Sequence, residues 1–149
     1  MDIINYLSAS LAPLLGIVTA VILILQYYLQ RLRWRLELYD KRYPVYRSTI
    51  EFIGFIVQRA DVANEELNKF LRNSKDNEFL FGKEIQKYLD EIYSNASNFE
   101  TNKRILEGKP EEETRLKLIE DDSKLLKWFM EQFEICKKNF GEYLTIDKK

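Results

Sequence analysis

The sequence predicts an all-α protein: a single N-terminal transmembrane helix followed by an antiparallel three-helix bundle. Three observations carry that prediction. No charged side chain occurs from Ile3 to Gln30. Beyond that run, apolar residues recur at alternating steps of three and four, the rhythm of a helix and not of a strand. Only five glycines and three prolines occur in 149 residues, too few for the turns of an all-β chain. The division expected is an anchor over 1–30, a basic juxtamembrane connector over 31–44 and a cytoplasmic helical bundle over 45–149.

The anchor follows from length and composition. A bilayer core of about 30 Å needs about 20 helical residues. Tyr6 to Tyr27 is 22 residues, about 33 Å at the usual helical rise of about 1.5 Å. Tyr6 stands at one end and Tyr27, Tyr28 and Trp34 at the other, where an aromatic belt would put them. A cleaved signal peptide would begin with a basic stretch, and here Met1-Asp2-Ile3 leads an apolar run that is too long. The segment is therefore expected to be retained. Ser8, Ala12, Gly16 and Ala20 recur every fourth residue, a spacing of small side chains that lets helices approach closely in lipid. These four are the candidate residues for helix packing in the membrane. Pro13 is expected to kink the span or to start its regular portion.

Charge sets the orientation. Between residues 31 and 47 there are six basic and two acidic side chains, a net of +4, whereas residues 48–149 carry 17 basic and 21 acidic, a net of −4. By the positive-inside rule the N-terminus is expected outside and the rest in the cytoplasm. Arg31, Arg33, Arg35, Lys41 and Arg42 are the candidate contacts to lipid headgroups. The solitary Cys136 suits a reducing compartment and excludes an internal disulfide.

The bundle is read from its breaks and its seams. Pro44 should end or kink the helix leaving the membrane. Asn73-Ser74-Lys75-Asp76-Asn77 reads as a polar turn, and Gly108-Lys109-Pro110 as a stop and restart, with Gly after one helix and Pro in the first turn of the next. Helix A would bury Tyr46, Thr49, Ile53, Ile56, Ala60, Ala63, Leu67 and Phe70. Helix B would bury Ile85, Leu89, Ile92, Ala96, Phe99 and Leu106. Helix C would bury Ile119, Leu126, Phe129, Phe133, Cys136, Phe140 and Tyr143. Lys103 and Asp122 interrupt the last two seams. In an up-down-up arrangement the B–C turn faces the membrane, and the end of helix A lies farthest from it.

Composition removes most catalytic chemistry. Without histidine there is no Ser-His-Asp or Cys-His pair, and no Glu-x-x-His di-iron pattern. The glycines at 16, 54, 82, 108 and 141 form no phosphate loop. Cys136 lies on the apolar seam of helix C, a place for an inert thiol. The acidic runs Glu111–Glu113 and Glu120–Asp122 lack the spacing of a calcium loop. No catalytic, cofactor or metal residue is assigned, and no enzyme activity is expected. A net charge of −1 argues against bulk binding of nucleic acid.

One local feature stands apart. Phe79, Leu80 and Phe81 are consecutive, and three neighbouring large apolar side chains cannot all face inward from one helix. They form either a plug over the end of the core or a candidate partner surface.

Several strings carry a resemblance. Asp40-Lys41-Arg42-Tyr43-Pro44-Val45-Tyr46, Phe79-Leu80-Phe81-Gly82-Lys83-Glu84-Ile85, Tyr88-Leu89, Trp128-Phe129-x-x-Gln132-Phe133 and Phe140-x-x-Tyr143-Leu144 resemble a group of small bacterial proteins with an N-terminal membrane helix and a helical cytoplasmic part. The resemblance covers about residues 36–144 and implies class and bacterial origin. That group has no known activity, so it implies no function or site residues.

Two functions are expected from these features. The first is a membrane-anchored interaction or scaffold module that self-associates or holds a membrane or cytoplasmic protein, with membrane lipid as its other partner. The second is an oligomerising, membrane-disrupting effector of a stress or anti-phage response, whose pore Ser8, Ser10, Thr19 and Gln26 would line.

Overall fold

A computed structural model describes the backbone of residues 2–74 and 77–145, and side chains from residue 13 onward within those limits. Among the described residues the chain is all helical, with no strand. Four helices follow in order: α1 (Asp2–Arg59), α2 (Asn64–Ser74), α3 (Lys83–Glu107) and α4 (Glu112–Leu144), with a single 3-10 turn over Asn77–Phe79 before α3. The chain divides into two compact units, Met1–Leu38 and Tyr39–Lys149. The boundary falls inside the stretch read from sequence as a connector.

In the first unit, α1 contains every described residue. Pro13 lies inside the helix and not at its start. From Pro13 to Gln30 every side chain is exposed.

In the second unit, the helix does not end at Pro44 but runs on to Arg59. Proline removes one backbone donor and crowds the carbonyl four residues earlier, at a cost of about 3 kcal/mol in a helix interior. Pro44 and Asp40 are both exposed. The residues that follow recover the cost by packing: Thr49, Phe52, Ile53 and Ile56 are all buried.

Helix A, expected to be one piece, is two. Ala60 takes a left-handed backbone (φ 47°) and ends α1. Ala60 and Ala63, assigned from periodicity to the buried seam, are exposed, while Leu67 and Phe70 of α2 are buried. Phe70 returns to stack on Phe52 at 4.4 Å between ring centroids, so α2 folds back along α1. The second unit therefore packs four helical segments where three were expected. Helices α3 and α4 follow their seams closely. Ile85, Leu89, Ile92, Ala96 and Phe99 face Phe129, Cys136 and Phe140 in one core. Ile119, assigned to that core, is exposed.

The turn between α3 and α4 is built as expected in place but not in detail. The left-handed position belongs to Lys109 (φ 53°), not Gly108, and Pro110 precedes α4 instead of lying in its first turn. Gly108 answers a different need. The amides of Gly108 and Lys109 tighten the helix end by bonding to the Ile105 and Leu106 carbonyls, both at 3.1 Å. A Cβ on Gly108 would meet the Ile105 carbonyl oxygen at 3.2 Å.

Splitting helix A reverses the ends. At one end the rings of Tyr46, Phe81, Phe140 and Tyr143 cluster, with Phe81 edge-on to Phe140 at 5.1 Å and to Tyr143 at 5.5 Å. This is the end at which α1 enters the unit. At the other end Lys103 of α3 pairs with Asp61, and Asn102 donates to Asp122 of α4 at 2.8 Å. The segment 79–81 thus lies at the α1-entry end, not at the far end, and the α3–α4 turn takes the far end.

Candidate membrane-facing and interaction surfaces

Among the described residues, α1 is exposed from Pro13 to Gln30. It is long and apolar enough to cross a membrane, and none of its apolar window is buried. Thr19 carries an aliphatic hydroxyl in it, and that hydroxyl donates to the Leu15 carbonyl at 2.7 Å. Such back-bonding satisfies the group inside its own helix, so Thr19 needs no water-filled lumen. Of the four small residues, Gly16 and Ala20 are exposed, and a Cβ on Gly16 would meet nothing within 4 Å. The side chains of Ser8, Ala12 and Ser10 lie outside the described residues. Gln26 is exposed.

The basic residues divide. Arg31, Arg33 and Lys41 are exposed, and Arg35 is half-buried. Arg42 gains a role that its sequence context did not suggest. Its Nε donates to the Leu80 carbonyl at 2.9 Å and its Nη1 to the Tyr143 carbonyl at 3.1 Å. The guanidinium also sits over the Phe81 and Tyr143 rings, 5.7 and 5.4 Å from their centroids. A planar fork of donors can bond two carbonyls and lie on aromatic faces together. One side chain therefore ties α1 to the segment before α3 and to the last turn of α4. An arginine among five basic neighbours carries no mark of this in sequence.

The run 79–81 splits between its two readings. Phe81 is 3 % exposed and belongs to the core, Leu80 is half-buried against it, and Phe79 is 90 % exposed. The 3-10 turn explains the split. The amides of Leu80 and Phe81 both bond to the Asn77 carbonyl, at 3.1 and 2.8 Å, which turns the backbone so that Phe79 faces out as Phe81 faces in.

Three titratable groups of the second unit are shifted by burial. Cys136 is fully buried, and burial pushes its thiol up to about 12. Burial likewise raises Tyr88, whose hydroxyl donates to the Gln132 carbonyl at 3.4 Å. Burial also raises the Asp122 carboxyl above the usual carboxylate range, while the bond from Asn102 draws it partly back. Lys103 and Asp122, which looked like polar interruptions at a helix end, each have a partner on another segment. Among the described residues, no group of three or more His, Cys, Asp or Glu is placed to hold a metal ion.

Scans against family models, curated proteins and solved structures found no match to this chain.

Proposed function

We propose that the chain is a single-pass membrane anchor carrying a helical interaction module at the inner face of a bacterial cytoplasmic membrane. It acts by binding proteins, further copies of itself included, and performs no catalysis. The observation that carries this reading is the uncovered apolar helix from Pro13 to Gln30. Ten Leu, Ile and Val residues lie between Leu14 and Leu29. At about −0.3 to −0.6 kcal/mol each near a bilayer centre, they favour insertion by about 3 to 6 kcal/mol. No charged side chain opposes them, where each would cost about 2.5 to 3.5 kcal/mol. The six basic residues that follow, between 31 and 47, support a cytoplasmic second unit. Phe79, exposed on that unit, supports a docking role.

The test is fractionation of the full-length chain expressed in bacteria. It should stay in the membrane pellet through an alkaline carbonate wash and be released by mild detergent. The second unit should resist protease added to intact spheroplasts. Recovery in the aqueous supernatant would refute the anchor. A purified chain that stays monomeric in detergent and captures no protein would refute the module.

A further inference from the structure

We propose that α1 carries a two-state joint at Pro44, with Arg42 as the latch that holds it closed. The joint lies wholly within the second unit, from Tyr39 onward, and does not depend on the anchored reading.

Pro44 is the weak point. It sits inside α1. Proline has no amide hydrogen, so the Asp40 carbonyl receives no helical bond from residue 44, and the ring crowds that carbonyl. Sharp helix bends concentrate at such places. Packing of α1 on the core begins just after it, at Val45 and Tyr46. Residues 39–43 come before that point, and Asp40, Lys41 and Tyr43 are exposed.

The latch crosses the weak point. Arg42 precedes Pro44, yet its two acceptors belong to the far side of the joint, the Leu80 carbonyl at 2.9 Å and the Tyr143 carbonyl at 3.1 Å. The Phe81 and Tyr143 rings lie under its guanidinium. A ladder of rings takes the same course. Tyr39 stacks on Tyr43 at 5.6 Å, Tyr43 meets Tyr46 at 6.2 Å, and Tyr46 meets Phe140 at 5.7 Å.

The latch can also open. Leu80 lies outside any helix. Tyr143 stands in the last turn of α4, where a carbonyl has no helical amide four residues on. Releasing Arg42 therefore breaks no helical bond. Closed, the latch couples three segments: residues 39–43 of α1, residue 80 beside the 3-10 turn, and the end of α4. Such coupling is reciprocal. Whatever displaces either carbonyl frees residues 39–43, and a bend at Pro44 releases both carbonyls.

The test is the distance between nitroxide labels at Asp40→Cys and Lys138→Cys, read by electron spin resonance on the full-length chain in mild detergent. Cys136 is fully buried and stays unlabelled. This pair alone should give one narrow distribution. Arg42→Met should add a second, with the open-to-closed ratio raised at least about tenfold, the weight of one hydrogen bond from a charged donor. Arg42→Lys should raise it less. Pro44→Ala restores an amide to the Asp40 carbonyl, so Arg42→Met combined with Pro44→Ala should return to one narrow distribution. Hydrogen exchange reads the coupling from the other side. The Leu80 and Phe81 amides, bonded to the Asn77 carbonyl, should exchange faster in Arg42→Met. An unchanged distribution in Arg42→Met would overturn the latch, and one equally broad with and without Pro44 would overturn the joint. Unchanged exchange would overturn the coupling. A second pair, Lys87→Cys and Lys138→Cys, reports the packing of α3 on α4. If that pair too broadens in Arg42→Met, the bundle itself has loosened, and the same comparisons made on Arg42→Lys decide.

Discussion

Replacing Arg42 by methionine keeps the unbranched stem and removes the guanidinium, which isolates what the head group contributes. The structure gives that head group two hydrogen bonds, to the Leu80 and Tyr143 carbonyls, and two aromatic faces, Phe81 and Tyr143. A hydrogen bond from a charged donor contributes about 1.5 to 3 kcal/mol, and a solvent-accessible cation–π contact about 0.5 to 1. Arg42 is only half-buried and the freed carbonyls regain some water, so the low ends apply and do not add in full. The expected loss is about 2 to 4 kcal/mol, against about 5 to 15 for a typical domain. The assay is urea unfolding of the full-length chain in mild detergent, on a Trp34→Phe background. The fluorescence then reports Trp128, which packs at 5.0 Å on the buried Phe129. Arg42→Lys should fall between the two, because an ammonium cannot bond both carbonyls in one plane. A loss below about 0.5 kcal/mol for the methionine variant, the range of ordinary surface substitutions, would refute the clamp.

Three other outcomes follow from the second unit. Ala60→Gly should stabilise it by about 1 kcal/mol in the same urea assay, since φ 47° costs an L side chain about 1 to 2 kcal/mol and glycine gives back part of that in chain entropy. The Cys136 thiol, pushed up to about 12 by burial, should ignore a thiol reagent at pH 8 in the folded chain and react fully in denaturant. For Asp122 the folded carboxyl is raised above its unfolded value, so ionisation opposes folding: its contribution is most favourable below the ordinary carboxylate range and is lost as pH rises through the raised value. Asp122→Asn should therefore be the more stable form at pH 7, by urea midpoint, and the two should converge near pH 3.

Periodicity made most of the core legible and its topology only in part. The seams of α3 and α4 were readable because long amphipathic helices bury the same stripe along their length, as Ile85 to Phe99 and Phe129 to Phe140 do. The division of helix A was hidden because a chain that reverses can resume the same three-and-four rhythm, as Leu67 and Phe70 do after Ile56. A weaker signal was present: Glu65 and Glu66 place acidic side chains in the first turn of α2, the charge a helix start favours. At Pro44 the helix does not end, since the packing of the residues after it outweighs a local break. The two bonds of Arg42 could not be read at all. They join residues 38 and 101 positions apart, and no local pattern encodes such distances.

The reversal of ends changes what the exposed aromatic implies. With helix A unbroken, Phe79 would stand at the tip farthest from the anchor, free to meet soluble proteins. With α2 folded back, the Leu80 carbonyl bonds to Arg42, twelve residues after Gln30 in sequence. A partner that reaches Phe79 therefore meets the unit at the end where Arg42 bonds the Leu80 carbonyl. The opposite end offers an ion pair, Asp61 with Lys103, and two hydrogen bonds donated by side-chain amides, Asn64 to Glu100 and Asn102 to Asp122. Groups already paired with one another give a second protein little to gain, because docking must first break or desolvate those pairs. An aromatic ring left in water has no such bond to lose. If the unit recruits a protein, the physical gain lies at the α1-entry end, and Phe79→Ala should weaken capture where Lys103→Ala does not.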